Sequence, residues 1–448
     1  MVTALVLAAL VGSSAACVGG GKGTQAPETI WPSWQVLGPL ARDAQHHIDE
    51  ESFAAMERAA RYMAEGNAKA ADAELQLAAA GASPHWIAVA RADLAALHFS
   101  RCIRGVAWRL PEAFGEMRSI DFDPATKIAE GDVSVEALLT KLDAAIVFAE
   151  QKNSTALLRH GRIARARVAG FTAQCAPNEE VAAQAGAVLQ ADLAVLAAQG
   201  ELTPDLAYMW AGVQYESYSP QAARPFLLQA KSEGFEDPSV DLLLASIALD
   251  ANDLEEAETR ASAAEAAYAE YETPPLRARA LALRGEARRR RKDADGARAD
   301  FEQARKLDPL SIEALLGSTR MRATDGERTD AVAYLQEGIM GLLASVDASP
   351  EAMASGAGAV EALIVNLNDD LAMAELCRDA LLREVDLDEA QLRRGLRYYF
   401  AATLDVALGD YDAGRGHAAA AETEFEGLGL AAPEGVEMLL RRLDELSR

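Results

Sequence analysis

A spacing of four and then three residues between small, large and small side chains recurs along this chain, and it limits the fold more than any other feature. Ala223, Leu227 and Ala230 carry it first, then Ala257, Ala261 and Ala264, with alanine in the middle place, then Ala297, Phe301 and Ala304, then Ala331, Leu335 and Gly338. The opening residues are separated by 34, 40 and 34 positions. Spacings of four and three place three residues on one helical face. An earlier small position precedes each triplet at Ala211, Ala245 and Gly285, with Thr319 in the last unit. Each period therefore reads as two helices joined by a polar turn such as Lys292 to Asp295. A unit this short cannot bury its apolar face alone, so neighbours must stack. The 40-residue step reads as an insertion in the helix and loop through Tyr268 to Pro275.

The stretch Leu281 to Pro309, LALRGEARRRRKDADGARADFEQARKLDP, resembles the tetratricopeptide repeat. That unit of about 34 residues has a large and a small residue in its first helix, small, large and small residues in its second, and proline at its exit. The resemblance implies an all-α fold, an antiparallel helix-pair solenoid, and a binding architecture. It extends to an early unit over 52–84, where Ala59 and Tyr62 precede a Gly66-Asn67 turn and Ala71, Leu75 and Ala78 follow. The regular array runs over 203–343. Looser units near Ala374 and Gly414 fill 350–448 and end in a charged capping helix. The remainder of 31–200 is divergent, with helices expected over 86–106, 134–150, 154–175 and 179–199 and an irregular loop over 110–131. The segment ETIWPSWQVLGP, residues 28–39, has no helical period and reads as an extended piece docking its tryptophans on the first helices.

Composition agrees with close-packed helices. Half of the 448 residues are hydrophobic, yet only 6% are aromatic. The 69 acidic residues outnumber 43 basic ones, for a net charge of −26. Such a surface repels nucleic acid and anionic lipid, so nucleic-acid binding is not expected.

Residues 1–16 contain a short apolar run, Ala4 to Val11, followed by small residues, and read as a signal peptide rather than a membrane span. Ser14-Ala15-Ala16-Cys17 is similar to the cleavage site of bacterial lipoproteins, although no Lys or Arg precedes the run. The resemblance implies lipidation of Cys17 and a flexible tether over 17–30. Val18 after the cysteine implies the periplasmic face of the outer membrane, with a cytoplasmic protein as the alternative. Three further cysteines remain: Cys102 and Cys175 could bridge, or all three, with Cys377, could be small buried hydrophobes.

No spacing points to catalysis. His46-His47 cannot place both rings on one helical face, and the other histidines lack a metal-binding or hydrolase motif. No metal and no cofactor are expected, and the chain reads as a non-enzyme. The alternatives are an enzyme with a site in 86–200 and a cytosolic regulator docking a signalling partner. What remains is a surface. In stacked helix pairs the first helices line the binding side, which selects Tyr208 and Tyr215 on one helix, with Leu242 and Leu249 following, then Arg279, Arg289 and Arg290, then Leu316 and Arg320. Tyrosine and arginine dominate many interfaces. A protein or peptide partner is expected, with acidic groups where it meets the arginines. The competing account packs the tyrosines inside the solenoid and makes Arg288 to Arg291 a solvated face. The Lys and Asn pattern by which some members of the family clamp a terminal carboxylate is not present.

Overall fold

The computed structural model describes residues 40, 42–64, 68–78, 84–93, 135–175, 179–217, 219–235, 237–270, 274–344, 350–367, 370–385, 390–428 and 434–446. The signal segment 1–16, Cys17, the tether to 30, the 28–39 segment, the Gly66-Asn67 turn, Cys102 and the loop 110–131 lie outside them. No strand occurs among the described residues, and the all-α expectation holds.

The described chain divides into two compact units, with the boundary between Ala251 and Asn252. The first contains α1 (Glu50–Ala64), α2 (Ala68–Ala78), a helical stretch over 84–93, α3 (Val135–Lys152), α4 (Thr155–Cys175), α5 (Glu179–Gln199), α6 (Pro204–Ser217), α7 (Pro220–Ser232) and α8 (Pro238–Asp250). The second contains α9 (Leu254–Glu270), α10 (Pro274–Arg290), α11 (Ala294–Leu307), α12 (Ile312–Thr324), α13 (Arg328–Leu342), α14 (Pro350–Val365), α15 (Leu371–Leu382), α16 (Gln391–Leu408), α17 (Tyr411–Gly427) and α18 (Glu434–Leu446).

Within each unit, consecutive helices pack as pairs: α1 with α2, α4 with α5 and α6 with α7 in the first, α10 with α11 and α16 with α17 in the second. First helices of successive pairs also touch, as α10 does α12. The turns within pairs share a local design. Lys292, Gly326 and Gly409 adopt positive φ of 68°, 84° and 79°. A left-handed residue ends a helix by redirecting its last amides, and glycine takes that conformation without steric cost. An acceptor follows at once in two of the three: Asp293 accepts from the Gly296 amide at 3.0 Å and Asp410 from the Ala413 amide at 3.2 Å, capping the second helix.

The small, large, small triplets form the core. Ala223, Leu227 and Ala230 are buried on α7; Ala257, Ala261 and Ala264 on α9; Ala297, Phe301 and Ala304 on α11; Ala331, Leu335 and Gly338 on α13. The Phe301 ring shows why small residues recur in the facing helices. A Cβ added at Gly285 of α10 would lie 2.9 Å from the ring, and one at Gly317 of α12 only 2.3 Å away. The ring thus fills space that two missing side chains leave, as close-packed interiors require. The 40-residue step is accommodated as expected: α9 continues to Glu270 and buries Tyr268 near its end. Cys377 is a free, buried thiol whose burial pushes its pKa up to about 12, so it acts as a small hydrophobe.

One helix differs in composition. Residues Glu180–Gln199 of α5 are long and apolar enough to cross a membrane by length and hydropathy. They pack along α4 through Leu189, Leu193 and Leu196, and Asp192 on the same helix is fully buried against arginines. Arg165 meets Asp192 at 2.7 and 2.8 Å and Arg162 at 3.2 Å.

Candidate binding surface

In the first unit, α6 presents Tyr208 and Tyr215 seven positions apart, two turns along one face. Both are half-buried on the core formed by α4 to α8. The Ser239 hydroxyl lies 2.9 Å from the Tyr208 hydroxyl, and the Ser246 hydroxyl 3.5 Å from that of Tyr215. Tyr208 also packs on Phe235, with ring centroids 5.1 Å apart. Ser239 and Ser246 sit on α8, again seven positions apart. The tyrosines therefore form two rungs between successive first helices, with apolar edges left partly open.

The second unit carries the arginines. Arg289 meets the Glu286 carboxylate through two bonds of 2.7 Å, and Arg290 donates to the same carboxylate at 2.7 Å. Burial alone would raise the Glu286 carboxyl, but bonds from Arg289 and Arg290 outweigh it and hold it below the usual range. The bond to Glu286 in turn raises Arg289, with a further contribution from Asp370. Arg279 of α10 faces Glu313 of α12 at 3.4 Å, and Arg320 of α12 faces Asp370, the N-cap of α15, at 3.3 Å. The arginines chosen from the sequence thus lie on α10 and α12, each against a carboxylate of its own chain.

The arginine run from 288 to 291 splits between two sides of α10. Arg288 donates to Glu258 of α9 at 2.9 Å and to Asp300 of α11 at 2.9 Å, and Arg291 also reaches Glu258. Arg284 joins them with bonds of 3.0 and 2.7 Å to Asp300. This side of the run ties three helices together, whereas Arg289 and Arg290 lie half-exposed. Leu242, Leu249 and Leu316 are buried rather than open to a groove.

Three charged constellations carry no sequence motif. Arg167 of α4 is buried between Asp93 and Asp205, at 3.0 and 2.7 Å. Burial, aided by Asp205, pushes the Asp93 carboxyl up to about 6, although Arg167 opposes it; Asp205 is held below its ordinary value because the Arg167 contacts exceed the cost of burial. His160 lies 2.7 Å from Asp43, and burial lowers its imidazole pKa despite that contact. Asp405, fully buried on α16, lies 2.7 Å from Nδ1 of His417 on α17, while Arg378 reaches its other oxygen at 3.4 Å. A carboxylate fixing an imidazole is one part of many hydrolytic sites, but among the described residues no Ser, Thr or Cys is hydrogen bonded to His417. No group of three or more metal-ligating side chains occurs among the described residues.

No protein-family model matches the sequence, and no curated protein matches it. Solved structures do. A thermophilic tetratricopeptide repeat protein of Thermus thermophilus is 16% identical over 54% of this chain and 98% of its own, with a TM-score of 0.30. A tetratricopeptide repeat protein from Parabacteroides merdae is 14% identical over 68% and 98%, with a TM-score of 0.26. Aspartyl phosphate phosphatase F from Bacillus subtilis is 12% identical over 94% and 96%, with a TM-score of 0.35. At such scores the helix-pair fold rests on the packing within this chain, where the triplet residues are buried and Phe301 lies against Gly285 and Gly317.

Proposed function

We propose that the chain is a non-enzymatic scaffold that binds a protein or peptide partner in the bacterial cell envelope, tethered through a lipidated Cys17 to the periplasmic face of the outer membrane. The observation that carries the scaffold reading is the half-exposed tyrosines on a first helix of the first unit and the half-exposed arginines on first helices of the second, each set on helix pairs whose interiors are filled by the triplet residues. Stacked pairs of this kind offer long surfaces to extended or helical segments. The tether adds local concentration, since confining one partner to a surface makes the second encounter effectively intramolecular. Ser14-Ala15-Ala16-Cys17 and the glycines that follow support the tether.

Two measurements test the reading. Radiolabelled palmitate supplied to expressing cells is expected to enter the wild type and to be absent from Cys17→Ser; equal labelling of both removes the anchor. For the surface, Arg289→Gln with Arg320→Gln is expected to weaken recovery of an envelope partner while circular dichroism stays unchanged. Glutamine is the better probe than glutamate here, because Glu286 and Asp370 already face these positions and a second carboxylate would repel them. Recovery of the same partner at the same yield would move the contact elsewhere.

A further inference from the structure

Two arginines of the second unit stand apart from the rest. Every other arginine from α9 to α13 makes an ion pair inside the chain. Arg305, in the last turn of α11, and Arg322, in the last turn of α12, have no carboxylate within ion-pair distance among the described residues. Both lie against the same aromatic ring instead. The guanidinium carbon of Arg322 is 3.8 Å from the centroid of Tyr334 on α13, and that of Arg305 is 5.6 Å from it. Three successive helices therefore bring two guanidiniums and one phenol to a single point.

A local account exists, and its reach is measurable. Cations near helix C-termini are favoured by the dipole, and each arginine donates to a carbonyl there: Arg305 to Pro309, and Arg322 to Ser318 at 3.2 Å. A guanidinium has five N–H donors. These contacts use one each, both side chains are half-exposed, and no nitrogen of either residue is among the buried polar atoms lacking a partner. Asp308, whose carboxyl feels the charge of Arg305, is buried with an oxygen held by the Leu310 amide at 3.0 Å, and it makes no ion pair with Arg305. In a chain with 69 acidic residues, two arginines without an ion pair that lie against one ring are the exception.

We propose that Arg305, Arg322 and Tyr334 form a docking point for an acidic side chain of a protein partner. The two guanidiniums receive the carboxylate, as they do in charge-assisted pairs, and their contact with the Tyr334 ring restrains them beforehand and lowers the ordering cost of binding. The point is distinct from Arg279, Arg289 and Arg290 of α10 and Arg320 of α12, whose carboxylates come from within the chain. It rests on the scaffold reading and deepens it by naming the chemistry of the partner and the place it engages.

The test uses the full chain and a tetramethylrhodamine-labelled octaglutamate peptide, followed by fluorescence anisotropy at physiological ionic strength. There the screening length is about 8 Å, so repulsion from distant acids is suppressed. The wild type is expected to bind, and Arg305→Gln with Arg322→Gln to weaken binding by about tenfold or more. The corresponding lysine pair keeps the charge but loses the planar fork, and is expected to fall between them. Arg298→Gln with Arg328→Gln, two exposed arginines already paired with Asp325 and Asp379, is expected to bind like the wild type. Circular dichroism of each variant establishes that helices are intact. Absence of binding by the wild type, undiminished binding by the 305/322 glutamine pair, or equal weakening in both glutamine pairs would overturn the proposal. Pull-down from host envelopes separates the two readings. A partner recovered equally by the wild type and the 305/322 glutamine pair removes this docking point and leaves the scaffold, whereas no partner for the wild type removes the scaffold itself.

Discussion

The helices α9 to α13 and the helices α3 to α6 solve the same packing problem by different means. In the first set, one ring, Phe301, occupies the space above Gly285 and Gly317, and ion pairs run over the half-exposed surface. In the second, where the repeat period is lost, charge is drawn inside: Arg167 sits between Asp93 and Asp205, and Asp192 is buried against Arg162 and Arg165. Shape complementarity repeats with the sequence and needs only a large residue opposite small ones. A buried ion cluster fixes one unique arrangement and offsets its desolvation only while every member is present. The regular region is therefore expected to tolerate loss of any one charge, and the divergent region is not.

The largest effect expected lies in the divergent region. Arg167→Met leaves two buried carboxylates without a cation and is expected to cost about 3–5 kcal/mol, read as a lower urea midpoint in far-ultraviolet circular dichroism. A loss under about 1 kcal/mol, the size seen for surface pairs, would erase the contrast. Next comes Gly317→Ala in the regular region, expected to cost about 1–3 kcal/mol through overpacking against the Phe301 ring.

Asp93→Asn sharpens the comparison through pH. The Asp93 carboxyl is raised to about 6 from an ordinary 3.8, chiefly by burial. The folded protein therefore holds this proton more tightly than the unfolded chain. Its contribution to stability is present in full below about pH 4 and is lost as pH rises through about 6. The stability of Asp93→Asn relative to wild type is thus expected to improve by about 1–3 kcal/mol between pH 4 and pH 7. A constant difference across that range would mean that Asp93 stays ionised throughout. The smallest effect is expected for Arg290→Ala, about 0–1 kcal/mol, because the arginine is half-exposed and Arg289 keeps its hold on Glu286.

What could be read from the sequence follows the same divide. The triplets from Ala223 to Gly338 are buried as their spacing demands, and α4 and α5 span Thr155–Cys175 and Glu179–Gln199, within a residue of the stretches expected. Periodicity reports which face of a helix points inward, and this needs no knowledge of the neighbour. Partners across helices depend on how two helices are rotated and offset, and no local pattern encodes that. Arg288 therefore looked like part of a solvated run, yet it bridges Glu258 and Asp300. Leu242 and Leu316 stand at positions whose phase points to the groove, yet both are buried. The meeting of Arg305, Arg322 and Tyr334 needs three helices in register and leaves no trace in any one of them.

The regular region rests on one ring lying where two side chains are absent, and a double-mutant cycle between Gly317→Ala and Phe301→Leu tests that most directly. Urea unfolding of the wild type, both single variants and the double variant supplies the four free energies. The account predicts that the alanine costs much less when leucine has replaced the ring, with a coupling of about 0.5–3 kcal/mol. Additive effects, with the alanine equally costly in both backgrounds, would contradict it.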